Sequence, residues 1–142
     1  MGSNGTGIVL VPCSGIGKVH GLIGREAVYE AIEEVGEEAA RTLCLALLVM
    51  GDEEARRLVR DRPCITVDGC PKLCAYKNLE LAGGRIVHGA RVVDVVKRHR
   101  GAQPGTATGL TQEGWAIVGE MAHELAAKVQ ECLAQAKEVK RG

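Results

Sequence analysis

At 142 residues, with 46% hydrophobic and 25% charged side chains, the chain has the make-up of one ordinary globular domain, which excludes disordered and fibrous architectures. Its 18 basic residues balance its 18 acidic ones, so no global field draws it to nucleic acid or to anionic lipid, and Trp115, Tyr29 and Tyr76 are too sparse and scattered to stack bases. No run approaches the roughly 20 apolar residues of a membrane span, and the first residues lack the basic and apolar regions of a secretion signal, so a cytoplasmic location is expected.

The segment before Gly7 reads as a flexible tail, in which Gly2 and Thr6 fit only a loose acylation pattern. Ile8 to Pro12 is a continuous β-branched run that empties into the glycine-rich turn Cys13-Ser14-Gly15-Ile16-Gly17-Lys18, the pattern of a buried parallel strand. Leu22, Ile23, Ala27, Val28, Ala31, Ile32 and Val35 then recur at helical spacing, with glutamates on the other face and Gly36 as the stop. The apolar stretch Arg41 to Met50 fits strand or buried helix, and its first half is assigned as a second strand. Asp52 caps a charged helix through about Arg60, with Glu53 and Glu54 in its first turn.

Cys64 to Asp68 is the third strand, and Gly69-Cys70-Pro71 turns it into a helix expected over 72–81, with Pro71 suited to the first helical position. After Gly83-Gly84, Arg91 to Val96 is read as a fourth strand, although its valines also fit a helix. A Gly/Pro/Thr loop at 101–109 leads to a long terminal helix over 110–139. Alternating strands and helices predict a single-domain α/β three-layer sandwich, with a mainly parallel sheet of about four strands and a long C-terminal helix. Sheets of this kind place functional sites beyond the carboxyl ends of their strands.

Six cysteines in a cytoplasmic chain stay reduced, which points to metal binding or catalysis rather than disulfides. Cys13 follows the first strand, Cys70 holds the matching position after the third, and Cys74 stands one helical turn further on. If those strands are neighbours, three sulfurs share one sheet edge. Cys44 joins them if the second strand ends near it, which completes the four thiolates of a closed tetrahedral zinc site. Cys64 begins the third strand and so sits roughly 20 Å from Cys70 at about 3.3 Å per residue, too far to share an ion. Cys132, alone on a helix, reads as a small buried hydrophobe. Asp68 is as suited to capping the following helix as to any chemistry, and His20 is a possible extra ligand. The glycine turn fails both nucleotide patterns: Pro12 and Val19 break the phosphate-loop motif, and His20 replaces the third dinucleotide glycine.

Cys13-Ser14-Gly15, Cys44 and, above all, Asp68-Gly69-Cys70-Pro71-Lys72-Leu73-Cys74-Ala75 resemble the DGC-domain family, over residues 7–97. The resemblance implies zinc binding through four recurring cysteines, which map onto Cys13, Cys44, Cys70 and Cys74, in a prokaryotic cytoplasmic protein with no established reaction. The segment after Cys44 departs from the family pattern, since Leu45 to Val49 stands where glycines are common.

The leading expectation is a small metal-binding accessory protein or a metal or cluster carrier, without enzymatic activity of its own. It is expected to work with a protein partner, with a homo-oligomer as a further option and no nucleic acid or membrane involved. Four soft ligands also suit an iron–sulfur cluster. The competing expectation is a thiol enzyme of redox or sulfur-transfer chemistry, with Cys70 or Cys13 as nucleophile and Cys74 resolving it.

Overall fold

The computed structural model describes residues 7–13 and 15–141. The tail at 1–6, with Gly2 and Thr6, and Ser14 of the glycine turn lie outside the described residues. β1 (Ile8–Pro12) enters the turn as expected and α1 (Val19–Val35) follows, closed by Gly36 at φ 96°. β2 (Ala40–Thr42) leads to α2 (Leu45–Val49), and α3 (Glu53–Asp61) begins at Asp52, whose carboxylate accepts the Ala55 N–H at 2.9 Å. β3 (Pro63–Asp68) is followed by α4 (Cys74–Leu81), β4 (Arg85–Arg91) and α5 (Val92–Val96). A small antiparallel hairpin of β5 (Gly105–Thr106) and β6 (Gly109–Leu110) precedes α6 (Gln112–Arg141).

Among the described residues the main sheet has the order β2-β1-β3-β4, with every neighbouring pair parallel. Side-chain alternation along the strands divides the core into two layers. Ile8, Leu10, Ile65 and Val67 face α1, α5 and α6, where they meet Ile23, Val92, Ile117, Met121 and Leu125. Val9, Val11 and Cys64 face α2, α3 and α4, where they meet Leu45, Leu48, Val59 and Leu79. The three-layer α/β sandwich expected from the alternation of elements is therefore present.

Three expected boundaries are corrected. The second strand stops at Thr42, because Leu45 and Leu48 bury themselves at helical spacing while Ala46, Val49 and Met50 face solvent. The fourth strand is Arg85–Arg91, not Arg91 to Val96. Val92 and Val95, three residues apart, bury the inner face of α5, whereas β4 is an edge strand whose Arg85, His88 and Gly89 give little apolar signal. The register shift at Cys64/Ile65 leaves Val87 as a bulge on that edge, a common guard against pairing with another chain. The third correction concerns α4, which starts at Cys74 instead of Lys72, so that Pro71 lies in the preceding turn rather than at the first helical position. The terminal helix is displaced by two residues from the expected 110–139.

Leu125 is 2% exposed at the centre of the α1, α5 and α6 layer. Leu125→Ala is expected to cost about 2–5 kcal/mol of stability, read as a lowered denaturation midpoint with an unchanged denaturant slope.

Candidate metal centre

The carboxyl ends of β2, β1 and β3 lie side by side, because β1 pairs with both other strands. Each end leads directly to a cysteine. Cys13 follows Pro12, Cys44 caps α2 just past β2, and Cys70 follows Asp68-Gly69. Cys74 opens α4 after a tight turn in which the Leu73 N–H bonds the Cys70 carbonyl.

Glycines hold these loops together. A Cβ added to Gly15 would meet the Gly21 Cα at 2.3 Å, and one on Gly21 would meet the Gly15 carbonyl oxygen at the same distance, so the β1–α1 turn folds flat against the first turn of α1. A Cβ on Gly69 would lie 3.2 Å from the Gly21 N and from the His20 carbonyl carbon, which seats the β3–α4 loop on the same spot. Gly15 also needs its left-handed φ of 50°. With the two loops in contact, the Gly69 N–H reaches the Cys13 Sγ at 3.3 Å. N–H donation to sulfur is a feature that favours the thiolate.

Cys13 is half-buried, and burial pushes its thiol up, with the Gly69 N–H acting in the opposite direction. Asp68, Cys70 and Cys74 add a smaller upward push, so all three lie within electrostatic reach of the Cys13 sulfur. Burial thus favours the protonated form of the Cys13 thiol. Cys70 is half-buried, and Cys44 and Cys74 are exposed. The structure thus brings Cys13, Cys70 and Cys74 into one neighbourhood. It sets Cys44 on the same sheet edge without placing it among the groups that act on Cys13. Among the described residues, no three His, Cys, Asp or Glu side chains are gathered into a ready-made metal cage.

Asp68 is a cap. Its side chain is buried, and its two oxygens accept the Ala75 N–H at 2.7 Å and the Tyr76 N–H at 3.1 Å. These are the positions an N-cap side chain serves, but Leu73, the residue before the helix, has no such group and sits at φ 56°. The carboxylate thus caps α4 from across the loop. Burial raises the Asp68 pKa, and the two backbone N–H groups and Lys77 oppose that shift.

His20 is half-buried against Gly69, and burial, helped by Lys18, lowers its pKa. Cys64 lies in the other half of its strand, fully buried, and its Sγ is within hydrogen-bonding distance of the Val59 carbonyl at 3.4 Å and the Arg62 carbonyl at 3.2 Å. Burial pushes its thiol up to about 12. Cys132 is buried in α6, and burial raises its pKa as well.

Reading the chain for chemistry overlooked Gly21. A glycine inside a helical pattern costs about 1 kcal/mol against alanine, so Gly21 and Gly24 within α1 were the available sign of close packing. Gly24 leaves room for Val67 and Val92, whose methyl carbons would lie at 3.3 and 3.2 Å from a Cβ there. The donor chemistry of the pocket suits a soft or borderline ion: thiol sulfurs, one already receiving a backbone N–H, with the neighbouring carboxylate engaged elsewhere.

Residues 9–113, more than half of the chain, match a family model described as the DGC domain. The match runs beyond the resemblance read over residues 7–97 and into the first turn of α6. No curated protein and no solved structure matches the chain.

Gly21→Ala drives a Cβ into backbone that cannot step aside, and is expected to cost about 1–3 kcal/mol. Gly119→Ala in α6, where a Cβ meets nothing within 4 Å, should instead stabilise by about 0.5–1 kcal/mol. Thermal melts of the two variants check both signs. In chelator-treated native protein at pH 8, a thiol-alkylating reagent is expected to modify Cys44 and Cys74 and to leave Cys64 and Cys132 untouched until the chain is denatured, as peptide mass mapping would record.

Proposed function

The chain belongs to the DGC-domain family, and from that premise we propose that it is a small metal-binding accessory protein or metal carrier that holds zinc through Cys13, Cys44, Cys70 and Cys74. The observation that carries this reading is the Cys13 sulfur at the sheet edge, bonded by the Gly69 N–H and lying within electrostatic reach of Cys70 and Cys74. Cys44, leaving the adjacent strand end, is the fourth donor. Cys44 and Cys74 are exposed on the β2–α2 and β3–α4 connections, where an incoming ion would meet them first.

Burial supports this reading over the thiol-enzyme alternative at Cys13, because it holds that thiol in the protonated form that a nucleophile must avoid. A metal ion reverses the balance. Cys13, Cys44, Cys70 and Cys74 would hold a bound ion as thiolates, so loading would release protons and would weaken as the pH falls.

Protein purified without oxygen is expected to carry one zinc per chain and no colour. Serine at Cys13 or Cys70 should lower that content at least tenfold, while serine at Cys64 or Cys132 leaves it unchanged. A brown protein containing iron would replace zinc with an iron–sulfur cluster. Full zinc content in the Cys13→Ser variant would overturn the site, and a Cys70 alkylated at once in untreated protein would favour the thiol enzyme.

A further inference from the structure

β2 is the outer strand of the main sheet on the side away from β4, and β1 is the strand that bonds to it. The phase of that parallel ladder is set by the Ile8 N–H, which bonds the Ala39 carbonyl at 2.9 Å. Backbone groups along a parallel strand turn to alternate sides. Arg41 therefore faces β1 with its N–H and carbonyl, while the Thr42 N–H and the Ala40 and Thr42 carbonyls point outward. The Ala40 N–H is taken by the Gly36 carbonyl at 3.2 Å. The outward groups meet no further strand among the described residues. An edge of this kind pairs with an extended segment of another chain unless something guards it. At the opposite edge the bulge at Val87 is such a guard, whereas β2 has only its shortness and the charge of Arg41.

A groove opens along β2 on each face of the sheet, and Arg41 lines both. On the α1 face Glu26, Glu30, Glu33 and Glu37 border about 770 Å³ beside the ring of Tyr29, which is 49% exposed. None of these glutamates has an ion-pair partner among the described residues. On the α3 face Leu43, Leu47 and Leu58 border about 470 Å³, with acidic and basic side chains in equal number around them. Both grooves have room for side chains, since clefts of ~300–1,000 Å³ hold whole ligands. A strand laid beside β2 sends successive side chains to opposite faces, so its alternate residues enter the two grooves in turn.

We infer that the β2 edge is the docking site for an extended segment of a partner protein in which Lys or Arg alternates with an apolar residue. The basic side chains answer the unpaired glutamates and lay their stems on Tyr29. The apolar ones meet the leucines of the second groove. The segment's backbone extends the ladder through the outward groups of Ala40 and Thr42. Charge selects among the possible occupants. A second copy of this chain would set its own glutamates against these, with a single Arg41 from each copy in return, and nucleic acid would bring phosphates, so both are repelled. Docking at this edge needs no ion at the cysteines.

The test measures fluorescence anisotropy of labelled synthetic peptides titrated with the full chain. The probes are a short peptide of alternating Lys and Val, its Glu/Val counterpart, and a copy of the Lys/Val peptide N-methylated at every residue, which keeps the charge but cannot join a ladder. The wild type is expected to bind the Lys/Val peptide, less tightly as salt is added, and to ignore the Glu/Val peptide. Affinity should fall at least tenfold for the N-methylated copy. It should fall at least tenfold also for a variant with Glu30→Gln, Glu33→Gln and Glu37→Gln, whose thermal midpoint is read first to establish that it is folded. Equal binding of the N-methylated copy would overturn strand addition, and undiminished binding by the glutamine variant would overturn the role of the acidic groove. A wild type that binds neither charged peptide, or that sediments as a dimer, would remove the docking site altogether.

Discussion

Backbone contact between two loops is the constraint on which the rest of the site depends. The turn after β1 and the loop after β3 can touch only because Gly15, Gly21 and Gly69 have no side chains, and a Cβ at the first two would lie 2.3 Å from backbone atoms. That contact delivers the Gly69 N–H to the Cys13 sulfur and sets the Asp-Gly-Cys segment over the start of α1. The middle letter of the motif is thus explained by space and the first by capping, since Asp68 closes the open amides of α4 from inside the protein. Only the cysteine is left for chemistry.

Parallel pairing supplies the second element. In a sheet ordered β2-β1-β3-β4 the three strand ends that carry cysteines are consecutive, so segments far apart in the chain deliver their sulfurs to one edge. The two core layers anchor that edge from below. Leu10, Ile65 and Val67 pack against α1 and α6 on one face, and Val9, Val11 and Cys64 against α2, α3 and α4 on the other. Cys13 thus leaves the buried β1–β3 pair, and the β3–α4 turn passes through Leu73, whose left-handed φ of 56° is the one non-glycine instance among the described residues.

The balanced total hides a local excess of acid between α1 and the β2 edge, where Glu26, Glu30, Glu33 and Glu37 line a groove with Arg41. Net charge speaks to long-range attraction for polyanions such as nucleic acid, but the field at a pocket of this size is decided by the few residues within about a Debye length of 8–10 Å.

The alternation of apolar runs and helical patterns in the chain was enough to establish the α/β layering, the capping of α3 by Asp52 and the separation of Cys64 from the other thiols, because periodicity, caps and strand length are local properties. The Asp68 to Ala75 segment was specific enough to point to the family. Periodicity could not separate strand from helix at Leu45–Val49 or at Val92–Val96, where short runs of aliphatic residues satisfy both periods and only burial against a neighbouring layer breaks the tie. Nor could it find β4, an edge strand with one partner and therefore little apolar demand. The tertiary structure alone decided that β1 lies between β2 and β3, that Asp68 spends both oxygens on α4, and that Gly15 and Gly69 both rest on Gly21. Each of these is a contact between segments whose distance along the chain says nothing of their distance in space.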